Sequence, residues 1–308
     1  MSAVDLDRIN QTLRSKYHCL VFYDNPPETA FCALEKGLSL SVQEINDALE
    51  WGSLYLNGKR LVSDQVLAAP LKLEYYQSKI PYKDLAQAFP KFNSDWIIYQ
   101  DDYLAICFKP PGISSAPAKE QQKYSMYNYL CSYHSCDVHL PSRLDFSTSG
   151  IMMYSLSKET HSDIQKIYSN REVEKRYLLK VDSKITWQDK VVDANIGRDY
   201  RHPVLRKIKS EGGKSAKTIF TNKSEEFGSD ILEAKPVTGR THQIRVHVAE
   251  GLGYPIMGDN FYAGAIAEDL CLLSYSLEFK HPITQEILTI KCPNELLPAW
   301  LRTTSPLF

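Results

Sequence analysis

Three stretches of the chain hold residue types that can make or break bonds. The first is Ser142-Arg143-Leu144-Asp145-Phe146-Ser147-Thr148-Ser149-Gly150, a polar loop that runs into the apolar Ile151-Met152-Met153-Tyr154. A carboxylate in a loop beside a rigid strand can be accessible and held still, as a nucleophile must be. The competing reading is a turn or helix cap, because Asp followed by Ser, Thr and Ser also satisfies local backbone amides. The second stretch is Arg176-Tyr177-Leu178-Leu179-Lys180-Val181, where strand alternation puts Tyr177, Leu179 and Val181 on one face. A tyrosine there serves either as core or as a wall against which a flat ring stacks. The third is GRTHQIRVH (239–247), followed by PIMGDNFY (255–262). His242 and His247 are five positions apart, on different sides of a helix, which speaks against a two-histidine metal site.

These residues need a scaffold, and the patterns around them supply one. Ile164, Ile167 and Tyr168 form the apolar stripe of a helix that leads into the Tyr177 strand. Around Arg245 two patterns compete: Ile244, Val246 and Val248 alternate like a strand, while Ile244 and Val248 also fit a helix face that closes before Gly251 or Gly253. Nearer the amino terminus, Val42, Ile45, Ala48 and Leu49 have helical spacing, and residues 54–60 and 71–76 read as strands, with a tight turn at Asn57-Gly58. Residues 1–80 are therefore expected to form a small helix-plus-hairpin module. Residues 81–92, with Pro81 and Pro90, read as a linker. A second domain over 93–308 opens with strand-like runs at 96–99 and 104–108 around the turn former Asp101-Asp102, and Lys109-Pro110-Pro111-Gly112 breaks the second run. Beyond it strand patterns outnumber helices.

The chain has 308 residues, 43% of them hydrophobic, enough for a substantial core. Its net charge of -1 means that any affinity for a polyanion must come from a local patch. The clearest patch is Arg198, Arg201, His202, Arg206, Lys207, Lys209, Lys214 and Lys217, relieved only by Asp199 and Glu211. It reads as a phosphate contact or as a solvated hairpin surface. Seven cysteines without a CxxC pair argue against a disulfide framework and a ribbon-type zinc site, and Cys131, His134 and Cys136 read as packing. No run approaches the roughly 18 apolar residues of a membrane span, and Met-Ser-Ala-Val-Asp lacks the features of a signal peptide, so a cytoplasmic, reduced monomer is expected.

Taken in order, KPPG (109–112), RLDFSTSG (143–150), KRY (175–177), GRTHQIRVH (239–247) and PIMGDNFY (255–262) resemble the RluA family of pseudouridine synthases over roughly residues 95–291. The resemblance implies an α+β fold: a mixed, largely antiparallel central sheet with flanking helices, crossed at its middle by the active-site cleft, plus a small amino-terminal α+β module. It implies isomerisation of specific uridines in ribosomal or transfer RNA, with no redox cofactor and no metal. It makes Asp145 the catalytic aspartate, Tyr177 the active-site tyrosine and Arg245 the arginine that pairs with the aspartate, its planar fork offering two charge-assisted hydrogen bonds. Arg143 matches the arginine that holds the nucleotide out of the stack. Arg240, His242, Lys109, Arg198, Arg201, Arg206 and Lys207 complete the expected RNA-binding set. The sequence departs from the family in having Ser142 where a histidine usually precedes Arg-Leu-Asp.

The amino-terminal pattern resembles a small ribosomal-protein-type RNA-binding module. Its helix, however, carries Glu44, Asp47 and Glu50, leaving Lys59 and Arg60 as the positive residues, so RNA binding and a structural remnant both stand. Two rival functions remain: a catalytically weak or inactive RNA-binding or assembly protein that keeps the fold, and a glycosidase acting through Asp145, for which these motifs supply no second carboxylate.

Overall fold

The computed structural model describes residues 15–119, 123–200, 204–228 and 230–302. The described chain divides into two compact units, one built from residues 15–91 together with 116–129, the other from 92–115 together with residues from 130 onward.

In the amino-terminal unit, strand β1 (Ser15–Phe22) is followed by helices α1 (Ala30–Leu38) and α2 (Val42–Trp51), then β2 (Leu54–Leu56), β3 (Lys59–Arg60) and β4 (Leu71–Ser78). The four strands form an antiparallel sheet in the order β1-β4-β2-β3. The β2–β3 turn is the Asn57-Gly58 pair, both residues at positive φ, which is the backbone that selects such a dipeptide. Helix α2 starts at a reciprocal cap: Ser41 Oγ accepts from the Glu44 amide while the Glu44 carboxylate accepts from the Ser41 amide. Such caps contribute about 1 kcal/mol, which accounts for an acidic residue at this place.

Residues 81–92 are more ordered than a linker. Helix α3 (Tyr82–Ala88) occupies most of them, with Pro81 at its entry, where a missing N–H costs nothing, and Phe89 is buried in a cluster with Trp51 and Tyr124. Tyr124 comes from 116–129, the segment that follows the KPPG turn and belongs with this unit.

The second unit is built on one nine-stranded sheet. Its strands are β5 (Ile97–Gln100), β6 (Leu104–Lys109), β7 (Ser149–Ser155), β8 (Glu174–Lys180), β9 (Asp189–Asp193), β12 (Lys217–Asn222), β13 (Ile231–Pro236), β14 (Leu272–Lys280) and β15 (Ile287–Lys291), while β10 (Ile196–Arg198) and β11 (Arg206–Ile208) form a separate hairpin. The order is β5-β6-β7-β14-β8-β13-β12-β9, with β15 on β14, and every pairing is antiparallel except the short parallel contact of β7 with β14. The fold is thus mixed and largely antiparallel. β6 and β7 are buried on both faces, which is why they read as unbroken apolar runs.

Two cores sandwich this sheet, and alternation sorts residues between them. Leu178 and Leu273 join Ile151, Met153 and the helix α5 residues Ile164 and Ile167 on one side; α5 spans Lys158–Ser169 and follows α4 (Met126–His134) in the chain. Leu179 and Leu272 join Phe220, Leu232, Ile244 and Val248 on the other, with Tyr177 packed against them. Each of these fully buried aliphatics contributes about 1.5–3 kcal/mol over exposure. The ambiguous 243–248 segment resolves as helix: a single α-turn, α6 (Gln243–Val246), that continues as a wider π-helical turn to Gly251. A helix pattern wins because Ile244 and Val248 must reach the same core.

Candidate active site

Asp145 sits at the mouth of β7, and its backbone is pinned on both sides. Ser115 Oγ donates to the Leu144 carbonyl at 2.9 Å and accepts from the Leu144 amide at 3.0 Å. On the other side the Phe146 carbonyl accepts from the Gly112 amide and from Lys109 Nζ, both at 3.1 Å. The Thr148 amide closes a turn onto the Asp145 carbonyl. Asp145 is therefore in a turn, as the cap-like reading supposed, and its side chain is still 31% exposed.

The sheet register brings Tyr177 to the same place. Ser274 of β14 lies opposite Gly150 of β7 and opposite Tyr177 of β8, and the β14–β8 ladder slips between Ser274 and Ser276. Gly150 has φ +116°, and a Cβ there would stand 2.3 Å from the Ser274 carbonyl oxygen, so β7, which follows the Asp145 turn, could not approach β14 with any other residue. The Tyr177 hydroxyl is pushed up to about 12 by burial, offset in part by its bond to Ser274. It stays protonated at neutral pH.

Arg245 arrives from α6 on the Tyr177 side of the sheet, buried to 5% exposure. Its fork is not spent on Asp145. Nε and Nη2 donate to Asp259 Oδ2 and Oδ1, both at 2.7 Å, and Nη1 remains 3.6 Å from Asp145 Oδ2. The expected two-bond pairing of Arg245 with Asp145 is thus replaced by a bidentate grip on another carboxylate, that of Asp259, which lies on the PIMGDNFY loop and is fully buried. Phe261 and Tyr262 carry the guanidinium at 4.9 and 5.3 Å from their ring centres.

His242, at positive φ, turns its ring between Asp145 and Tyr262. Tyr262 accepts from the Arg206 amide at 3.1 Å, and its hydroxyl lies 2.8 Å from His242 Nδ1. His242 Nε2 faces Asp145 Oδ2 at 4.0 Å. Burial, and after it Arg245, pulls His242 down to about 4, leaving it neutral at pH 7.

Burial by itself would raise the Asp145 carboxyl, but the surrounding His242, Arg245 and Lys109 outweigh it and hold it below the ordinary carboxylate value. With His242 neutral, the permanent positive charges are Arg245 and Lys109, which balance Asp145 and Asp259. The arrangement is a charged, half-open carboxylate beside an aromatic ring in a pocket whose charges are already paired, fit for nucleophilic or proton-transfer chemistry at a flat ring.

The other expected RNA contacts distribute unevenly. Arg143 is exposed on the Asp145 loop. Arg240 lies on the adjoining loop, its Nε on the Ser215 carbonyl. Arg198 and Arg206 face each other across the β10–β11 hairpin, with Lys207 beside them, and Arg206 reaches the site through Tyr262. Arg201 and His202 lie outside the described residues. Lys109 is a correction: it is fully buried, and its Nζ donates to the Pro110, Ile113 and Phe146 carbonyls, so it ties KPPG to the Asp145 loop and is not available to a phosphate. Sequence reasoning also passes over Asp259, Tyr262 and Ser115. The signal for Asp259 is present, since a buried arginine needs a buried anion and the GDN turn offers one.

The profile of a family described as RNA pseudouridylate synthase matches residues 103–250. The chain is 34% identical over 205 residues to the "Dual-specificity RNA pseudouridine synthase RluA" of Pasteurella multocida, covering 64% of this chain and 92% of that protein. It is also 31% identical over 252 residues to the "Uncharacterized RNA pseudouridine synthase YjbO" of Bacillus subtilis, 79% of this chain and 87% of the other. The chain belongs to this family of RNA pseudouridine synthases. Among solved structures, "Human RNA Pseudouridylate Synthase Domain Containing 1" shares the fold with a TM-score of 0.55 at 23% identity, over 68% of this chain and 89% of that one. As a pseudouridine synthase the chain is an isomerase whose substrate is RNA.

Proposed function

We propose that Asp145 is the nucleophile of this synthase and that its substrates are specific uridines in structured ribosomal or transfer RNA. The observation that carries the reading is the charged Asp145 carboxylate, held open between the Ser115 and Lys109 clamps and beside Tyr177. In this reading the target nucleotide leaves its stack, at a cost of a few kcal/mol, and stacking on Tyr177 returns about 1–3 kcal/mol. Asp145 attacks the anomeric carbon, and the electron pair of the N1–C1′ bond leaves with the base. The base turns, C5 recaptures C1′ as the carboxylate departs, and the C5 proton is in net terms transferred to N1. The protonated Tyr177 hydroxyl is a proton-bearing group next to the carboxylate, and His242 Nε2 faces it. Arg143, Arg198, Arg206, Lys207 and Arg240 meet the phosphates, and Lys109 serves as a positioning residue. A cytoplasmic, monomeric enzyme is part of the same proposal.

The test is a chemical map of pseudouridines in ribosomal and transfer RNA from cells with the gene, without it, and with only an Asp145→Asn copy. Sites lost on deletion and restored by the unmutated gene alone support the reading and name the RNA. Restoration by the Asp145→Asn copy would remove Asp145 from the chemistry.

A further inference from the structure

Lys175 is a cation outside the paired charges of the Asp145 pocket. It precedes Tyr177 by two residues on β8, about 6.6 Å along the strand, a span that a nucleotide stacked on Tyr177 and its own phosphate can cover. Its neighbours are committed elsewhere: Glu174 is paired with Arg176 and Lys235, and Arg176 also faces Glu233. Lys175 takes no part in that network, and among the described residues no carboxylate pairs with it.

The ammonium is bordered instead by an aromatic ring and by open space. Nζ stands 5.9 Å from the centre of the Tyr168 ring. On another side is exposed Gly239, at the start of GRTHQIR, where a Cβ would meet nothing within 4 Å except that same Nζ, at 3.9 Å. The Tyr168 hydroxyl has Ser142 as its side-chain partner, and nearby Tyr177 opposes its ionisation. Ser142 stands three residues before Asp145, where the family usually has histidine. Tyr168 thus ties the lysine to the loop that carries the carboxylate.

A half-buried ammonium without a counter-ion is costly, and desolvation holds Lys175 below the ordinary lysine value. The fold does not require that charge, since an uncharged side chain of similar length would pack along the same path. A group kept at the expense of stability marks a place where a ligand supplies the missing partner. For a cation that partner is an anion, and the anions of RNA are its backbone phosphates.

We propose that Lys175 binds a backbone phosphate next to the target uridine, its ammonium carried on the Tyr168 ring and open to the RNA beside Gly239. The proposal rests on the reading of Tyr177 as the wall on which the target base stacks, and is independent of the role given to Asp145.

The experiment uses the full chain and total RNA from cells lacking the gene, which holds the unmodified target. Lys175→Met raises KM about fivefold at about 50 mM salt and the difference closes by about 500 mM, as expected of one phosphate contact with a salt slope of about 0.7. The melting temperature of this variant is equal to that of the unmutated chain or higher, because an uncompensated charge has been removed. Tyr177→Ala loses activity by the same factor at both salt concentrations, since stacking carries no net charge, so failure of the stacking role and failure of the phosphate role are told apart. A second readout needs no variant. In the unmutated chain RNA protects the Lys175 amine from acetylation, read by peptide mass spectrometry, and leaves exposed Lys158, at the other end of α5 from Tyr168, reactive. An unchanged KM at both salt concentrations, a rise in KM that salt does not alter, or equal acetylation of Lys175 with and without RNA would overturn the proposal.

Discussion

Arg245 faces two aspartates, and the fold treats them differently. Asp259 has no exposed side-chain surface and takes both prongs of the guanidinium at 2.7 Å, whereas Asp145 is 31% exposed and stands 3.6 Å from the remaining nitrogen. The first is a structural anion that keeps a buried arginine in place. The second feels the same positive charge through a longer contact and stays partly open. A nucleophile held by two short hydrogen bonds would have to break them to react, so diverting the fork to Asp259 stabilises the charge of Asp145 without blunting it.

Removing each aspartate tests this contrast most sharply. Asp145→Asn lowers turnover by about 10⁴-fold or more with a smaller loss of stability than Asp259→Asn, since a reacting group is lost and only the longer contact with Arg245 is broken. Asp259→Asn does the reverse first: it leaves Arg245 buried without its anion and costs about 3–5 kcal/mol of stability, read by urea unfolding. Equal losses of stability in the two variants would dissolve the distinction. Arg245→Lys keeps a charge near both carboxylates but loses the fork. It is expected to destabilise nearly as much as Asp259→Asn, and a melting temperature matching the unmutated chain would show that the bidentate geometry carries little.

The clamps and the neutral histidine have smaller effects. Lys109→Met strips a donor from three carbonyls, costing about 1–3 kcal/mol, and removes one of the two positive charges that depress Asp145. The acid limb of the pH–rate profile therefore moves up, a displacement that loosened packing by itself does not produce. For His242 the sign follows from its depressed value of about 4 against an ordinary value near 6.5. Between those pH values the unfolded chain binds a proton that the native chain refuses, so stability falls as pH drops through the window, by up to about 3 kcal/mol. Urea unfolding at pH 7.5 and 4.5 should show this decline and a flatter one in His242→Gln; identical declines would place the proton elsewhere. Tyr177→Ala severely impairs turnover, by up to about 100-fold, while Tyr177→Phe keeps the stacking contribution and isolates the hydroxyl.

Legibility in the sequence follows the range of the forces involved. The Asn57-Gly58 turn, the α2 stripe and the β6 and β7 runs are readable because each depends on neighbours a few residues away. The 243–248 segment is ambiguous because its apolar positions fit both periods, and only the core beneath Ile244 and Val248 decides it. Residues 81–92 read as a linker because Pro81 and Pro90 bracket mixed polarity, and the partners that order Phe89 lie far away in sequence, at Trp51 and Tyr124. Lys109 misleads for the same reason: a lysine before two prolines looks solvent-facing until three carbonyls converge on it.

The sequence by itself determined the chemistry available to this protein: RLD, KRY and RTHQIR name an aspartate, a tyrosine and an arginine, and their types set what can be charged, stacked or protonated at neutral pH. Tertiary structure decided which of them meet and how. Asp145, Tyr177 and Arg245 are far apart in the chain, and they converge because β7 and β8 both border β14 at Ser274 and α6 packs on the Tyr177 side. That the arginine grips Asp259 and only approaches Asp145 is set by distances of a fraction of a hydrogen-bond length, which depend on the packing of the whole core and leave no trace in local pattern.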